Sequence, residues 1–258
     1  MTHDGDAHPQ TNPMSNLWLA PHTHPLVLGH RGACAHAPEN TLSSVRHARE
    51  QRADGIEFDT KRCASGEVVI MHDISVDRTT NGHGDVHSLT LAELRALDAG
   101  GGQPVPTLDE VFEEVGQDVL MNIEVTNYST RNDGLEEAIV DVIKRHAIEE
   151  RVMFSSFNPF SLRKLAGLAP RIPGGILYHP RMPVWLRNVW LAPFIPHAFL
   201  HPEKSMVTKA ETAALRKRGI GVNTWTVNEP ADILRVTEAG VNAIMGDSPA
   251  TIRTTLGI

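Results

Sequence analysis

From residue 25 onward the chain alternates short apolar runs with longer stretches whose apolar residues recur every three or four positions. The apolar runs fall at 26–30, 55–60, 67–72, 119–125, 152–157, 175–178, 198–201, 220–227 and 243–246. Several are β-branched and lack polar alternation, the pattern of strands in a parallel sheet covered on both faces. The stretches 39–51, 108–115, 134–146, 159–167, 209–218 and 231–238 read as helices. End signals support some of them. Thr107 stands before Leu108 with Glu110 three residues on, a capping-box spacing, and Gly219 and Gly240 follow helix ends.

Strand–helix repetition through the rest of the chain predicts the α/β class and, within it, a TIM (β/α)8 barrel. Nine strand candidates compete for eight places. The link between the second and third, residues 63–66, is too short for a helical crossover, which takes about a dozen residues. Those two runs are therefore expected to pair as a hairpin, leaving one strand outside the regular barrel. The barrel domain is expected at 25–258, after a flexible N-terminal extension at 1–24 in which His3, His8, His22 and His24 read as a solvated tail.

Two segments interrupt the rhythm. Residues 74–106 are rich in Gly and His with one short helix candidate at 91–97, and are expected to form a small insertion after the third strand candidate, over the barrel mouth. Residues 181–197 carry Trp185, Trp190 and Phe194 among prolines. That composition suits an apolar lid or membrane-surface contact, and equally a packed loop or the interface of a homo-oligomer.

The 258 residues suffice for one barrel, and 41% hydrophobic with 21% charged residues is ordinary for a soluble enzyme. A net charge of −7 excludes a general nucleic-acid binder, because no basic surplus exists to neutralise phosphates. Cys34 and Cys63 are too few for a disulfide framework and form no CxxC pair, so a reducing, cytoplasmic location is expected. No apolar run approaches the roughly 18 residues of a membrane span.

The candidate chemistry sits at strand ends. Glu57 and Asp59 lie two residues apart in an apolar run and so share one face of a strand. Glu124 sits in another such run. One buried acid would read as half of a salt bridge, to Arg31 for example. Three on such strand pieces point to a hard divalent cation with oxygen ligands, Mg²⁺ or Ca²⁺. His30 and His72 each open a polar cluster after an apolar run, and two histidines beside a carboxylate-bound cation make an acid/base pair for cleaving a phosphate ester. Arg31 and Gly32 follow His30 directly: arginine offers a bidentate fork for phosphate, and glycine lets the backbone approach a ligand. Asp73 beside His72 is a candidate to orient the imidazole, although neighbouring side chains on a strand diverge.

In order along the chain stand HRGA at 30–33, PENT at 38–41, GIEFDT at 55–60, VVIMHD at 68–73 and NIEV at 122–125, then SSF at 155–157, HPE at 201–203, WTVN at 225–228 and GDSP at 246–249. This ordered set, covering 27–249, resembles the glycerophosphodiester phosphodiesterase family, of the phosphatidylinositol-phospholipase-C-like phosphodiesterase superfamily. The resemblance implies a barrel hydrolase that releases glycerol 3-phosphate and an alcohol. His30 and His72 match the acid/base pair, Glu57, Asp59 and Glu124 the metal ligands, and Arg31 a phosphate-binding position. Glu39 and Asn40 match a motif near the site, though both also suit a cap on the first helix. Trp225 would line the pocket.

Two departures stand out. The family usually carries a lysine where Thr126 stands, a missing cation for which Lys61 or Arg62 is a candidate replacement, and its TDxP motif appears as Gly246-Asp247-Ser248-Pro249. The attacking oxygen is either water or the substrate's glycerol 2-hydroxyl. Two other functions compete: a lysophospholipase D or sphingomyelinase D-like enzyme, which the 181–197 stretch favours and whose substrate would be a lysolipid, and a non-catalytic barrel that binds phosphodiesters or a protein partner.

Overall fold

The computed structural model describes residues 16–128 and 132–258. Nine strands form one sheet: β1 (Leu26–Gly29), β2 (Gly55–Arg62), β3 (Val68–Ile70), β4 (Leu120–Val125), β5 (Val152–Ser156), β6 (Gly174–Tyr178), β7 (Phe199–Pro202), β8 (Gly221–Thr224) and β9 (Ala243–Gly246). Eight of them are parallel and run in the order β1-β2-β4-β5-β6-β7-β8-β9, and β9 pairs back onto β1 to close the ring. The expected hairpin is present. β3 pairs antiparallel with β2, bridges Thr107 through Val69, and stays outside the ring.

The helices are α1 (Leu42–Glu50), α2 (Leu91–Arg95), α3 (Leu108–Val115), α4 (Leu135–His146), α5 (Pro159–Leu168), α6 (Val184–Arg187), α7 (Lys209–Lys217), α8 (Pro230–Ala239) and α9 (Pro249–Leu256). The Thr107–Glu110 capping box starts α3, and Gly240 ends α8 in the left-handed conformation. α1 begins later than its periodicity suggests. Asn40 adopts φ +57°, which a helix cannot contain, and Thr41 is the capping residue. β8 likewise stops at Thr224, so Trp225 lies beyond the strand.

Alternate residues on each strand divide between two cores. Outward-facing Val27, Ile56, Phe58, Ile123, Phe154, Leu200 and Ile244 pack under the helices. Inward-facing Leu28, Leu120, Met153, Phe199, Ala243 and Met245 fill the lower half of the barrel. Trp18 plugs that end. It is 3% exposed, lies edge-on to Phe199 and donates its indole N–H to Arg151 O at 3.0 Å. Asn16 fastens the same turn through bonds to the carbonyls of Glu149 and Val152. Residues 16–19 are therefore packed structure and not loose extension. Of the rest of the expected extension, residues 20–24 form no helix or strand and lie at or near the surface, and residues 1–15 lie outside the described residues.

The segment 74–106 surrounds a small core of its own, with Val76, Val86, Leu94, Ala99 and Val105 packing on Cys63, Val69 and Met71 of the β2–β3 hairpin. Among the described residues no helix is long and apolar enough to cross a membrane.

Candidate active site

Parallel pairing of β2 and β4 sets Asp59 directly opposite Glu124, with Glu57 two residues below Asp59 on the same inward face. One carboxylate oxygen from each of the three lies within 4.8 Å of the others. All three side chains are buried, with Asp59 only 1% exposed. Burial and the Asp59 charge raise Glu124 to about 8, and burial with the charges of Asp59 and Glu124 holds Glu57 well above the usual carboxylate range. Such a cluster fits a hard divalent cation: its donors are all oxygens, and its charges repel unless a cation or protons compensate them. Asn40 supports the cluster by donating from Nδ2 to Asp59 Oδ2 at 2.8 Å, and the Tyr128 hydroxyl points inward to Glu124.

Both histidines are held through Nδ1. His30, just past β1, lies 2.7 Å from Asp247 Oδ1 at the end of β9. His72 lies 2.6 Å from Asp73 Oδ1. The Asp73 contact corrects the expectation that the two side chains diverge: β3 ends at Ile70, and the chain bends beyond it. Burial would raise Asp247, but the bonds from His30 and Cys34 hold it at about 2. A hydrogen bond from Arg78 keeps Asp73 well below its ordinary range despite partial burial. Ionised carboxylates accept only, so each Nδ1 carries the proton and each Nε2 is left with its lone pair.

Arg31 and Glu39 carry a chain of charge-paired contacts from the carboxylate cluster toward the His72–Asp73 pair. Arg31 adopts φ +51°, donates its backbone N–H to Glu57 Oε2 at 3.0 Å and its Nη1 to Glu39 Oε1 at 2.7 Å, and brings Nε within 3.4 Å of Asp59. Burial would lower its pKa, but the charges of Asp59, Glu57 and Glu39 outweigh that and secure the guanidinium. Glu39 accepts in turn from both Nη atoms of Arg78, at 2.9 and 2.8 Å, and Arg78 also donates to Asp73. Burial opposes ionisation of Glu39, yet the two arginines hold it at about 2. Gly32 makes room for α1. At φ +84° any Cβ would run into Ser44 of α1, whose hydroxyl bonds Arg31 O at 2.8 Å.

Lys61 reaches Thr126: its Nζ donates to Thr126 Oγ1 at 2.7 Å and to Thr126 O at 3.1 Å. Arg62 turns away, bonding the carbonyls of Gly66 and Asp133. Trp225 is half-buried, donates its indole N–H to His201 O at 2.9 Å, and lies edge-on to Phe157 and His179. Tyr128 meets Phe157 from the other side, and the four rings make one aromatic wall. In the 181–197 stretch, Trp185 and Val189 line a crevice with Phe157, while Trp190 and Phe194 remain exposed.

Sequence reasoning missed Arg78, which sits in a segment with no strand or helix signal, and missed Asp247 as the partner of His30. The GDSP stretch was a visible signal for Asp247, but its meaning depends on β9 closing onto β1.

A closed parallel barrel with buried carboxylates and an aspartate-anchored His30 at the ends of its strands, and an aspartate-anchored His72 just past the hairpin strand β3, defines the class, a barrel hydrolase. A sequence profile of the Glycerophosphoryl diester phosphodiesterase family matches residues 30–251, and the chain belongs to that family. It is 39% identical over 236 residues to a glycerophosphodiester phosphodiesterase of Caldanaerobacter subterraneus subsp. tengcongensis, covering 88% of this chain and 96% of that one. A glycerophosphodiester phosphodiesterase of Bacillus altitudinis is 34% identical, over 86% of this chain and 94% of its own length. Among solved structures, an Oleispira antarctica phosphodiesterase in complex with the product sn-glycerol-3-phosphate superposes with a TM-score of 0.83 at 30% identity, covering 91% of this chain and 98% of that one.

Proposed function

We propose that this chain hydrolyses glycerophosphodiesters to glycerol 3-phosphate and an alcohol, with one divalent cation, Mg²⁺ or Ca²⁺, held by Glu57, Asp59 and Glu124. The observation that carries the reading is this carboxylate cluster, with His30 and His72 each locked by an aspartate at Nδ1 and each adjacent to a residue whose backbone N–H bonds the cluster's residues, Arg31 to Glu57 and Met71 to the Asp59 carbonyl. A cation bound there would offset the charge that gathers on the nonbridging oxygens as pentacoordinate phosphorus forms.

The side chains of this protein account for the remaining chemistry. Nε2 of one histidine accepts a proton from the attacking oxygen, and Nε2 of the other donates a proton to the departing alkoxide. Both rings keep Nδ1–H on their aspartates throughout, so the exchange at Nε2 needs no change of tautomer. Arg31, held charged and partly exposed, supplies a guanidinium edge to the phosphate. Glu39 sets the position of that guanidinium. Trp225, Phe157 and Tyr128 offer an apolar face to the glycerol carbons. Water attack gives glycerol 3-phosphate directly; attack by the glycerol 2-hydroxyl gives a cyclic phosphate that water then opens.

Glycerol 3-phosphate release from glycerophosphocholine by the purified protein, with Mg²⁺, Ca²⁺ or EDTA, tests this. Release with either cation and none with EDTA is expected, with His30→Ala and His72→Ala each slowing turnover by roughly 10²–10⁴-fold. Turnover of lysophosphatidylcholine in preference to glycerophosphocholine would replace the substrate class. Full activity in both histidine variants would end the mechanism.

A further inference from the structure

A second set of metal-ligating atoms meets beside the carboxylate cluster. Nδ1 of His30 and Sγ of Cys34 both lie against the same atom, Asp247 Oδ1, at 2.7 and 3.1 Å. Suitable ligand atoms of all three residues fall within 4.8 Å of one another, and all three side chains are partly exposed, so solvent reaches them. The donors differ in kind from those of Glu57, Asp59 and Glu124. One thiol, one imidazole and one carboxylate suit a borderline-soft ion, whereas Mg²⁺ and Ca²⁺ select oxygen.

We propose that His30, Cys34 and Asp247 form an inhibitory site for a thiophilic divalent cation, Zn²⁺ being the type, separate from the hard-cation site. Two X–H groups directed at one carboxylate oxygen are the protonated counterpart of such a site. With zinc bonds of about 2.0–2.3 Å, tetrahedral ligands stand roughly 3.3–3.6 Å apart. The two separations from Asp247 Oδ1 need to open by about half an ångström, and the His30 and Cys34 ligand atoms already lie within 4.8 Å of each other, all within reach of side-chain rotation at a partly exposed site. The fourth position falls to water.

Binding exchanges bonds in a balanced way. The Cys34 S–H proton leaves to solvent as the thiolate–metal bond forms. The His30 proton moves from Nδ1 to Nε2 as Nδ1 takes the ion. Burial and the bond to Asp247 raise the Cys34 thiol far above its ordinary range, so without the ion it stays protonated and little reactive. Bound zinc removes both features that make His30 useful, its aspartate bond and its free Nε2 lone pair. The effect on turnover rests on the hydrolase reading above; the binding does not.

Co²⁺ titration of the whole protein in saturating Mg²⁺ tests the site through the near-ultraviolet thiolate-to-cobalt charge-transfer band. One equivalent of band-forming Co²⁺ per chain is expected, displaced by Zn²⁺. The band should be lost in Cys34→Ser, which keeps a donor to Asp247, and retained in Cys63→Ser. Zinc should inhibit wild-type hydrolysis reversibly, with Cys34→Ser needing at least tenfold more. No band, or a band that follows Cys63, overturns the site. A band without inhibition overturns its inhibitory role. Absent hydrolysis in metal-replete wild type, with the band present, counts against the hydrolase reading and not against the site.

Discussion

Lys61 Nζ rests 2.7 Å from Thr126 Oγ1, across the top of the barrel from β2 to the end of β4. Thr126, where the resemblance to the family implies a lysine, is thus the receptor for a lysine from the neighbouring strand. Burial lowers the pKa of Lys61, while the charges of Asp59 and Glu124 pull the other way, which places the ammonium in their field. Lys61→Met should therefore cut kcat/KM by roughly 10²-fold, the scale of losing one charge-stabilising donor. Thr126→Lys added to that variant should restore part of the loss. Steady-state kinetics of the two variants decide it: full activity in Lys61→Met would mean that Lys61 only fills space.

Metal-free protein should lose stability as pH rises from about 4.5 toward 8. Glu124 is raised from 4.5 to about 8 by burial and Asp59, and Glu57 is raised in the same direction, so in this window the folded state binds more protons than the unfolded. Stability then falls with rising pH. His201 acts oppositely: burial lowers it from 6.5 to about 3, so its contribution is present above 6.5 and fades below. Between pH 6.5 and 8 only the carboxylate slope of these three groups remains. Thermal melts in EDTA should show Tm declining across that interval, and saturating Mg²⁺ or Ca²⁺ should abolish the decline by replacing the protons. Equal slopes with and without cation would count against the carboxylate cluster as the metal site.

Arg78 links the His72–Asp73 pair to the Arg31–Glu39 pair, binding Glu39 on one side and Asp73 on the other. Its side chain is 48% exposed, so these ion pairs contribute little to folding. Their effect is positional. Arg78→Ala should leave Tm nearly unchanged yet slow turnover by roughly 10- to 10²-fold, the cost of misplacing groups by about an ångström. Arg78→Lys should recover little, because one ammonium cannot fork to two carboxylates. A large fall in Tm with unchanged kcat would assign Arg78 to structure.

The barrel was legible because its strands and helices differ in apolar period, and the short 63–66 link exposed β3 as the strand outside the ring. The three carboxylates were legible because ionised groups inside apolar runs demand a partner. Their companions were not. Asp247 meets His30 only through closure of β9 on β1, a pairing between the two ends of the chain. Arg78 sits where no periodic pattern constrains it. Trp18 lay in a stretch whose polar, proline-rich composition hid one aromatic side chain aimed at the barrel floor. Thr126 was visible as a departure, but the reach of Lys61 depends on the register of β2 against β4.

Trp18 separates stability from catalysis. It closes the barrel floor against Phe199 and other inward-facing apolar residues, at the end opposite His30 and the carboxylates. Trp18→Ala removes a fully packed indole and leaves the Arg151 carbonyl without its donor, a loss of roughly 3–5 kcal/mol for a large aromatic in a core. At about 2–4 °C per kcal/mol for a chain near this size, Tm should fall by roughly 6–20 °C. Turnover at low temperature, and the cation concentration that half-activates the enzyme, should stay near wild type, because Trp18 packs on the apolar floor and touches the site only through the buried polar layer that adjoins it, where Asn122 and Asn223 donate to the sulfurs of Met245 and Met153 and Asn223 meets His201. If Tm holds, the aromatic plug contributes nothing to the barrel. If cation activation shifts along with Tm, the two ends of the barrel are coupled through that layer.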